Sequence, residues 1–131
     1  MKAVKGKEII FTGENKIGEL EDIAGILKDN GVNVRAISAW AISDKAVFRL
    51  LTSDNVKTKE LLSIKGAVEE REVVIVEMPD EVGQLQLPAS KLKGNGLDLD
   101  YIYGTTYEPG KSAIIIFSAN DNDKALGIIS A

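Results

Sequence analysis

The sequence predicts an α+β fold made of two tandem ferredoxin-like βαββαβ repeats packed together, with the second repeat lacking its last strand. Two observations lead to this prediction. The chain of 131 residues matches itself when it is shifted by 65 positions. In each half, short β-rich runs and an amphipathic stretch follow one another in the same order. We expect the repeats to span residues 1–70 and 71–131.

The match between the two halves of the chain is clearest at two short motifs that contain glycine. Asn30-Gly31 falls on Asn95-Gly96, and Gly18-Glu19-Leu20 falls on Gly83-Gln84-Leu85. Chance matches do not usually place both motifs in one register, so we infer a duplication.

The register of the match changes in the second half of each repeat. After Pro109-Gly110 the shift becomes 66, and residues 45–52 then lie on residues 111–118. One inserted turn residue explains the change, because hairpin loops tolerate variation in length.

The first repeat contains all six elements. We predict a strand over 7–13, a helix over 18–30, strands over 32–42 and 45–52, a helix capped by 53–55 and ending near 63, and a strand after 66. Gly31 supplies a left-handed stop for the first helix, and Ser43-Asp44 forms a tight hairpin turn. We expect Ile17 and Leu20 to face the core, as part of an apolar stripe with Ile23, Ala24 and Leu27.

The second repeat is shorter. Its predicted elements are a strand over 72–78, a helix ending near 94, strands over 97–106 and 112–119, and a helix starting at 120–121. No room remains for a fourth strand before residue 131. We expect the open edge to be covered by the N-terminal segment, by the first repeat or by another subunit. The charged junction 69–72 is predicted to be the rim of a strand and not a flexible linker.

The composition excludes several classes of chemistry. The chain has no Cys and no His, so disulfides, thiolate nucleophiles and His general bases are excluded. Zinc and iron–sulfur sites lose their usual ligands, whereas carboxylates alone would still suffice for Mg²⁺ or Ca²⁺. We expect no metal, no cofactor and a cytoplasmic location without a signal peptide. The net charge of −4 argues against nucleic acid or an anionic membrane as partner. Asn120-Asp121-Asn122-Asp123 lacks the glycine and the bidentate Glu of a calcium loop, so it is interpreted as a helix cap.

The segment 14–20 lies between a strand and a helix and offers a place for a ligand. Backbone N–H groups at a helix start have no intrahelical partner and attract anions. Gly18 allows close approach to the backbone, Asn15 can donate and accept, and Lys16 adds a positive charge. Two readings stay open from the residues alone: a ligand site, or a cap at Asn15 with Gly18 permitting close helix–sheet packing.

The two segments Glu14-Asn15-Lys16-Ile17-Gly18-Glu19-Leu20 and Asn30-Gly31-Val32-Asn33-Val34 together resemble an ACT domain, a βαββαβ module of amino-acid-responsive proteins. The first is similar in particular to the regulatory subunit of acetolactate synthase. Residues 79–85 and 95–99 resemble the same pattern more loosely. The resemblance covers almost the whole chain and implies a tandem ACT protein without a catalytic domain.

This resemblance implies a non-catalytic amino-acid sensor, with the ligand held between a first loop and the start of a second strand in a facing unit. Carried over to this chain, it gives as ligand-binding residues Asn15, Lys16, Ile17, Gly18, Leu20 and Asn33, and in the second copy Asp80, Glu81, Val82, Gly83, Leu85 and Asp98. It also implies a homodimer or a biosynthetic enzyme as partner, and no catalytic residue.

The two copies of the loop differ in charge and in helix start. Asn15-Lys16 becomes Asp80-Glu81, which disfavours a ligand carboxylate and favours an ammonium group. Pro88 would disrupt a helix that began near Gly83, so we expect the second helix to start late. We therefore predict that the first copy holds the better carboxylate-binding loop.

Aromatic side chains cluster on the middle strands. Alternation places Tyr101 and Tyr103 on one face, near Tyr107, and Trp40 lies in the matching strand of the first repeat. An interface between units is favoured over a pocket, because Tyr and Trp are common in such contacts.

Two other functions compete with the sensor. One is a subunit that interacts with a biosynthetic enzyme and has itself lost the ability to bind a ligand. The acidic second loop and the missing strand are consistent with this function. The other is a carboxylate-using enzyme such as an acylphosphatase-like hydrolase. The glycine-rich anion loop with a following Arg is not in the sequence, so we do not expect an enzyme.

Overall fold

Two sets of strand, helix, strand, strand and helix follow each other along the chain. The computed structural model describes residues 1–130, except the side chain of Tyr107. The elements are β1 (Lys2–Glu14), α1 (Glu19–Asp29), β2 (Val34–Ile42), β3 (Lys45–Thr52), α2 (Asn55–Leu62), β4 (Ala67–Pro79), α3 (Gln86–Gly94), β5 (Leu99–Glu108), β6 (Ser112–Ala119) and α4 (Asn122–Ser130). No helix in this part of the chain has the length and apolar character needed to cross a membrane.

The first repeat occupies residues Lys7–Arg71. Its strands are ordered β2-β3-β1-β4, and both pairings of β3 are antiparallel. This is the ferredoxin-like arrangement that the element order predicts. The helices cover one face of the sheet through a buried apolar cluster, which contains Phe11, Ile23, Leu27, Val32, Ala46, Phe48, Leu50 and Leu62.

The second repeat combines the chain from Glu72 onward with Met1–Gly6. Its strands are ordered β1-β4-β6-β5, so the N-terminal part of β1 supplies the fourth strand that residues 72–131 lack. We expected the N-terminal segment, the first repeat or another subunit at the open edge, and in the structure the N-terminal segment occupies it. Ala3 packs against the buried cluster of this repeat. The prediction that the first strand begins at residue 7 is therefore wrong, because β1 begins at Lys2.

Residues 69–72 lie within β4, so the junction is a strand and not a linker, as predicted. β1 and β4 are each 13 residues long, and Ala67 lies 65 positions after Lys2. Each long strand begins as the fourth strand of one repeat and continues as the first strand of the other.

The pairing register corrects the predicted shift of 66. Phe11 pairs with Phe48, and Val76 pairs with Ile115. Val76 lies 65 positions after Phe11, whereas Ile115 lies 67 positions after Phe48. The shift after the hairpin is therefore 67.

The two additional residues have separate causes. The turn between β5 and β6 has three residues, whereas Ser43-Asp44 alone joins β2 to β3. The other addition is a bulge at position 107, where the register slips between Thr106 and Glu108. A bulge adds a residue to one strand without a partner, and it has no compositional signature that could have been read in advance.

A buried ion pair lies on the sheet face of the first repeat that points away from the helices. Arg49 Nε donates to Glu8 Oε1 at 2.8 Å, and the two side chains are 6% and 0% exposed. Successive side chains of a strand point to opposite faces, so Arg49 points away from the face of its neighbour Phe48, and Glu8 away from the face of its neighbour Ile9. With the register above, the equivalent residues of the second repeat are the apolar Val73 and Ile116, which are also buried.

Exposed ion pairs join the strand formed by the N-terminal segment to other residues of the second repeat. Lys5 Nζ contacts the carboxylates of Asp123 and Glu72. These contacts, the Asp123 hydrogen bond first, raise the pKa of Lys5 above its ordinary 10.5. A raised pKa in the folded protein stabilises it fully below pH 10.5, and this stabilisation is lost as pH rises through the folded value.

We therefore expect Lys5→Met to lower the midpoint of urea unfolding at pH 8. The difference from wild type should shrink as the pH is raised above 10.5. A difference that stays constant from pH 8 to pH 12 would contradict a role for the Lys5 charge.

Candidate functional site

The loop between β1 and α1 is fastened to the hairpin of its own repeat. The Asn15 backbone N–H donates to the Asp44 carbonyl at 2.9 Å, and Asn15 Nδ2 donates to the Ser43 carbonyl at 3.4 Å. Gly18 is the N-cap of α1, and no side chain caps this helix. Asn15 therefore holds the loop to the β2–β3 turn and is not a helix cap.

Gly18 is required by its backbone conformation. Its φ is +87°, in the left-handed region, and a Cβ at this position would have open space around it. A turn in which Glu19 N–H donates to the Lys16 carbonyl at 3.3 Å leads into the first helical bond, from Asp22 N–H to the Gly18 carbonyl. Close helix–sheet packing thus does not explain this glycine.

Ile17 and Leu20 do not face the core, which corrects the predicted stripe. Ile17 is fully exposed and Leu20 is 56% exposed, whereas Ile23 and Leu27 are buried. The helix starts at Glu19, so Ile17 lies in the preceding turn and the inward column runs through Glu19 and Ile23. The loop thus presents two aliphatic side chains to solvent.

Lys16 is available to a ligand. Its Nζ lies 3.6 Å from Asp22 Oδ2, and both side chains are about half exposed. Exposed pairs of this kind contribute about 0–1 kcal/mol, so a ligand carboxylate can replace Asp22 at low cost.

Glu19 is a residue of this loop that sequence reasoning missed. It is 5% exposed, and Lys65 Nζ lies 3.1 Å from its Oε1. Only the change to Gln84 in the second copy could have marked it, because an acidic residue at a helix start is otherwise ordinary.

The second repeat has the same turn. Gln84 N–H donates to the Glu81 carbonyl at 3.3 Å, and Gly83 has a φ of +86°. Val82 is fully exposed and Leu85 is 56% exposed, which matches Ile17 and Leu20.

The helix after this turn starts late, as predicted. α3 begins at Gln86, so Pro88 is its third residue and lies where backbone N–H groups have no intrahelical partner. Pro88 is buried in the core position that Ile23 fills in the first repeat.

Asp80 has a structural partner. Its Oδ2 accepts the Gly110 N–H at 2.8 Å, and its own N–H donates to the Lys111 carbonyl at 3.2 Å. Asp80 thus fastens the second loop to its hairpin, as Asn15 does in the first repeat.

A cavity of about 260 Å³ lies beside the second loop. It is lined by the loop and by the β5–β6 hairpin: Met78, Pro79, Asp80, Glu81, Gln84, Leu85, Thr105, Thr106, Ala113, Ile114 and Ile115.

Asn33 and Asp98 lie away from the loop of their own repeat. In the first repeat, the loop and Asn33 lie at opposite ends of α1, whose 11 residues span about 16 Å. Asn33 N–H donates to Ser53 Oγ at 2.8 Å, and Asp98 N–H donates to Asn120 Oδ1 at 3.2 Å. Within one repeat, the structure therefore brings together the loop residues but not these two.

Tyr101 and Tyr103 share one face of β5, as predicted. Their ring centroids are 5.4 Å apart, and they pair with Ser118 and Ile116 of β6. The Tyr107 side chain lies outside the described part of the chain, and the interface role of these residues stays a prediction.

Comparison with known proteins gives the family. The family model for the ACT domain pair matches residues 5–131. No curated protein matches the chain.

Solved structures support the fold. A protein of Bacteroides thetaiotaomicron has a TM-score of 0.88 at 23% identity, over 97% of this chain and 88% of that one. The regulatory subunit of aspartate kinase from Thermus thermophilus, in its ligand-free form, has a TM-score of 0.66 at 15% identity, over 98% and 95%. A putative C-terminal regulatory domain of aspartate kinase from Porphyromonas gingivalis has 0.61 at 19%, over 98% and 91%. With its family model matched over nearly its whole length, the chain belongs to the ACT domain pair family.

Proposed function

We propose that this protein is a non-catalytic regulatory protein that binds a free amino acid. The observation that carries the proposal is the glycine turn at Gly18, which opens a helix start to solvent beside an exposed Lys16. Membership of the ACT domain pair family and similarity in fold to regulatory parts of aspartate kinase support a regulatory role.

The first loop is the proposed site for the ligand carboxylate. Free N–H groups at the start of α1 and the Lys16 ammonium both attract an anion. Three carboxylates oppose it in the first turn of α1: Glu19, Glu21 and Asp22. Lys65 lies 3.1 Å from Glu19, and Asp22 is the carboxylate that a ligand would replace beside Lys16. Asn33 and Asp98 enter the proposal as contacts from a facing unit, as the family resemblance implies.

The proposed action is allosteric. A ligand that binds one arrangement of the protein better than another shifts the equilibrium between them. We propose a homodimer, acting in the cytoplasm on a biosynthetic enzyme. That this enzyme belongs to amino-acid synthesis is part of the proposal and comes from the resemblance that residues 14–20 suggested in the sequence.

An interaction subunit without a ligand is the second candidate. The full exposure of Ile17 and Val82 favours it, because two β-branched side chains at equivalent loop tips suit contact with another protein. A flat response to all twenty amino acids, together with retained binding to a partner enzyme, would decide for this candidate.

Calorimetric titration with each amino acid tests the sensor, with a matched pair of variants. Gly18→Ala and Gly31→Ala each place a Cβ on a left-handed residue with open space around it, at φ +87° and +73°. Each should cost about 1–2 kcal/mol of stability. We expect Gly18→Ala to weaken binding by about tenfold more than Gly31→Ala does, because Gly31 lies at the other end of α1 from the carboxylate loop. Equal binding by both variants would remove the site from this loop.

A further inference from the structure

The cavity of the second repeat differs in charge from the loop of the first. Its lining includes the carboxylates of Asp80 and Glu81, and no Lys or Arg is among the described residues that line it. Asp80 is engaged by the Gly110 N–H, whereas Glu81 is exposed at the mouth. At the position of Glu81, the first repeat has Lys16.

The helix start beside this cavity is also a poor site for an anion. Pro88, the third residue of α3, has no N–H, so one of the usual free donors is missing. Gln86 N–H is engaged with the Gly83 carbonyl at 3.2 Å. Both the side chains and the backbone therefore disfavour a carboxylate here.

The remaining lining suits a small organic cation. Gln84 and Thr106 bring an amide and a hydroxyl, which can accept hydrogen bonds from an ammonium group. Leu85, Ala113 and Ile115 provide an apolar wall for a short aliphatic chain. A volume of about 260 Å³ has room for a short aliphatic amine.

We propose that the second-repeat cavity binds a compact aliphatic amine through its ammonium group, with Glu81 as the counter-charge. The two repeats would then recognise opposite charges, a carboxylate at Lys16 and an ammonium at Glu81. This deepens the proposed function, on which it rests, by assigning the second repeat a ligand class of its own.

Two probes of equal chain length test the charge preference on the full chain. n-Butylammonium and butyrate are titrated separately, and binding is followed by calorimetry and by amide NMR shifts. We expect n-butylammonium to bind and to shift the amides of Gly83, Gln84, Thr105 and Thr106, and butyrate to leave these amides unmoved. Butyrate bound at these amides, or neither probe bound there, overturns the proposal.

Three variants locate the counter-charge. Glu81→Gln should weaken n-butylammonium binding about tenfold, and Glu81→Lys should abolish it. Glu21→Gln removes the same charge from an exposed position on α1 and should leave binding unchanged. Binding that survives Glu81→Lys, or that falls equally in Glu21→Gln, overturns the assignment.

The amino-acid panel separates this inference from the proposed function. If an amino acid binds wild type but not Gly18→Ala, and n-butylammonium does not bind at the cavity, the sensor stands and this inference fails. If neither an amino acid nor the amine binds, both fail.

Discussion

Glu8→Val and Arg49→Ile are each expected to destabilise the protein by about 3–5 kcal/mol, because each removes one member of a buried, hydrogen-bonded ion pair. The two groups are joined at 2.8 Å, and both side chains are almost fully buried. Urea unfolding at pH 7 gives the free energy of unfolding of each variant.

The double variant Glu8→Val/Arg49→Ile should recover most or all of that loss. It copies the apolar pair Val73 and Ile116, which occupies the same positions in the second repeat. Apolar replacement of a buried ion pair is often neutral or stabilising. The double-mutant cycle measures the coupling directly. A double variant no more stable than the worse single variant would contradict the equivalence of the two sites.

Ala3→Asp is expected to destabilise the second repeat by about 1–3 kcal/mol, although residue 3 is far from that repeat in sequence. Ala3 packs against the buried cluster that contains Val74 and Phe117. The carboxylate would lose water there without gaining a partner. Relative to wild type, hydrogen exchange should become faster in β6 and in residues 72–79 of β4, and it should stay unchanged in β2 and β3.

Val4→Asp is the matched control for this prediction. Val4 is the next residue, is 45% exposed and points to the other face of the strand. It should change stability by no more than about 0.5 kcal/mol. Equal effects of the two variants, or faster exchange in the first repeat alone, would contradict the assignment of residues 1–6 to the second repeat.

Local signals in the sequence were sufficient for much of the fold. Asn30-Gly31 and Ser43-Asp44 have local geometric requirements, and the structure has the helix stop and the tight turn that they predict. Pro88 gave the late start of α3, because a proline is tolerated only where no N–H is needed.

Long-range features were beyond sequence reasoning. The run 112–119 is apolar almost throughout, so sliding it by one residue leaves its pattern nearly unchanged and hides the bulge at 107. The fourth strand of the second repeat comes from residues 1–6, and its pairing depends on chain topology, not on local pattern.

Some features of the candidate site were not predicted, for similar reasons. The apolar stripe predicts Ile17 and Leu20 in the core because of its three- and four-residue spacing, but the helix starts too late for Ile17 to reach it. The inward turn of Glu19 depends on Lys65, which is distant in sequence. The glycine conformations at both loops follow from local geometry. The lining of the cavity beside the second loop also includes residues of β5 and β6, which are distant in sequence, so it could not be predicted from the loop alone.

The exchange of fourth strands between the repeats has a consequence for synthesis. Residues 7–71 contain every strand of the first repeat, so this unit can close while the rest of the chain is still being made. Residues 1–6 are made earlier but have no partner until β4 has followed, more than sixty positions later. Such distant contacts form slowly. The second repeat is therefore expected to close last, and the N-terminal strand is an unpaired edge until it does.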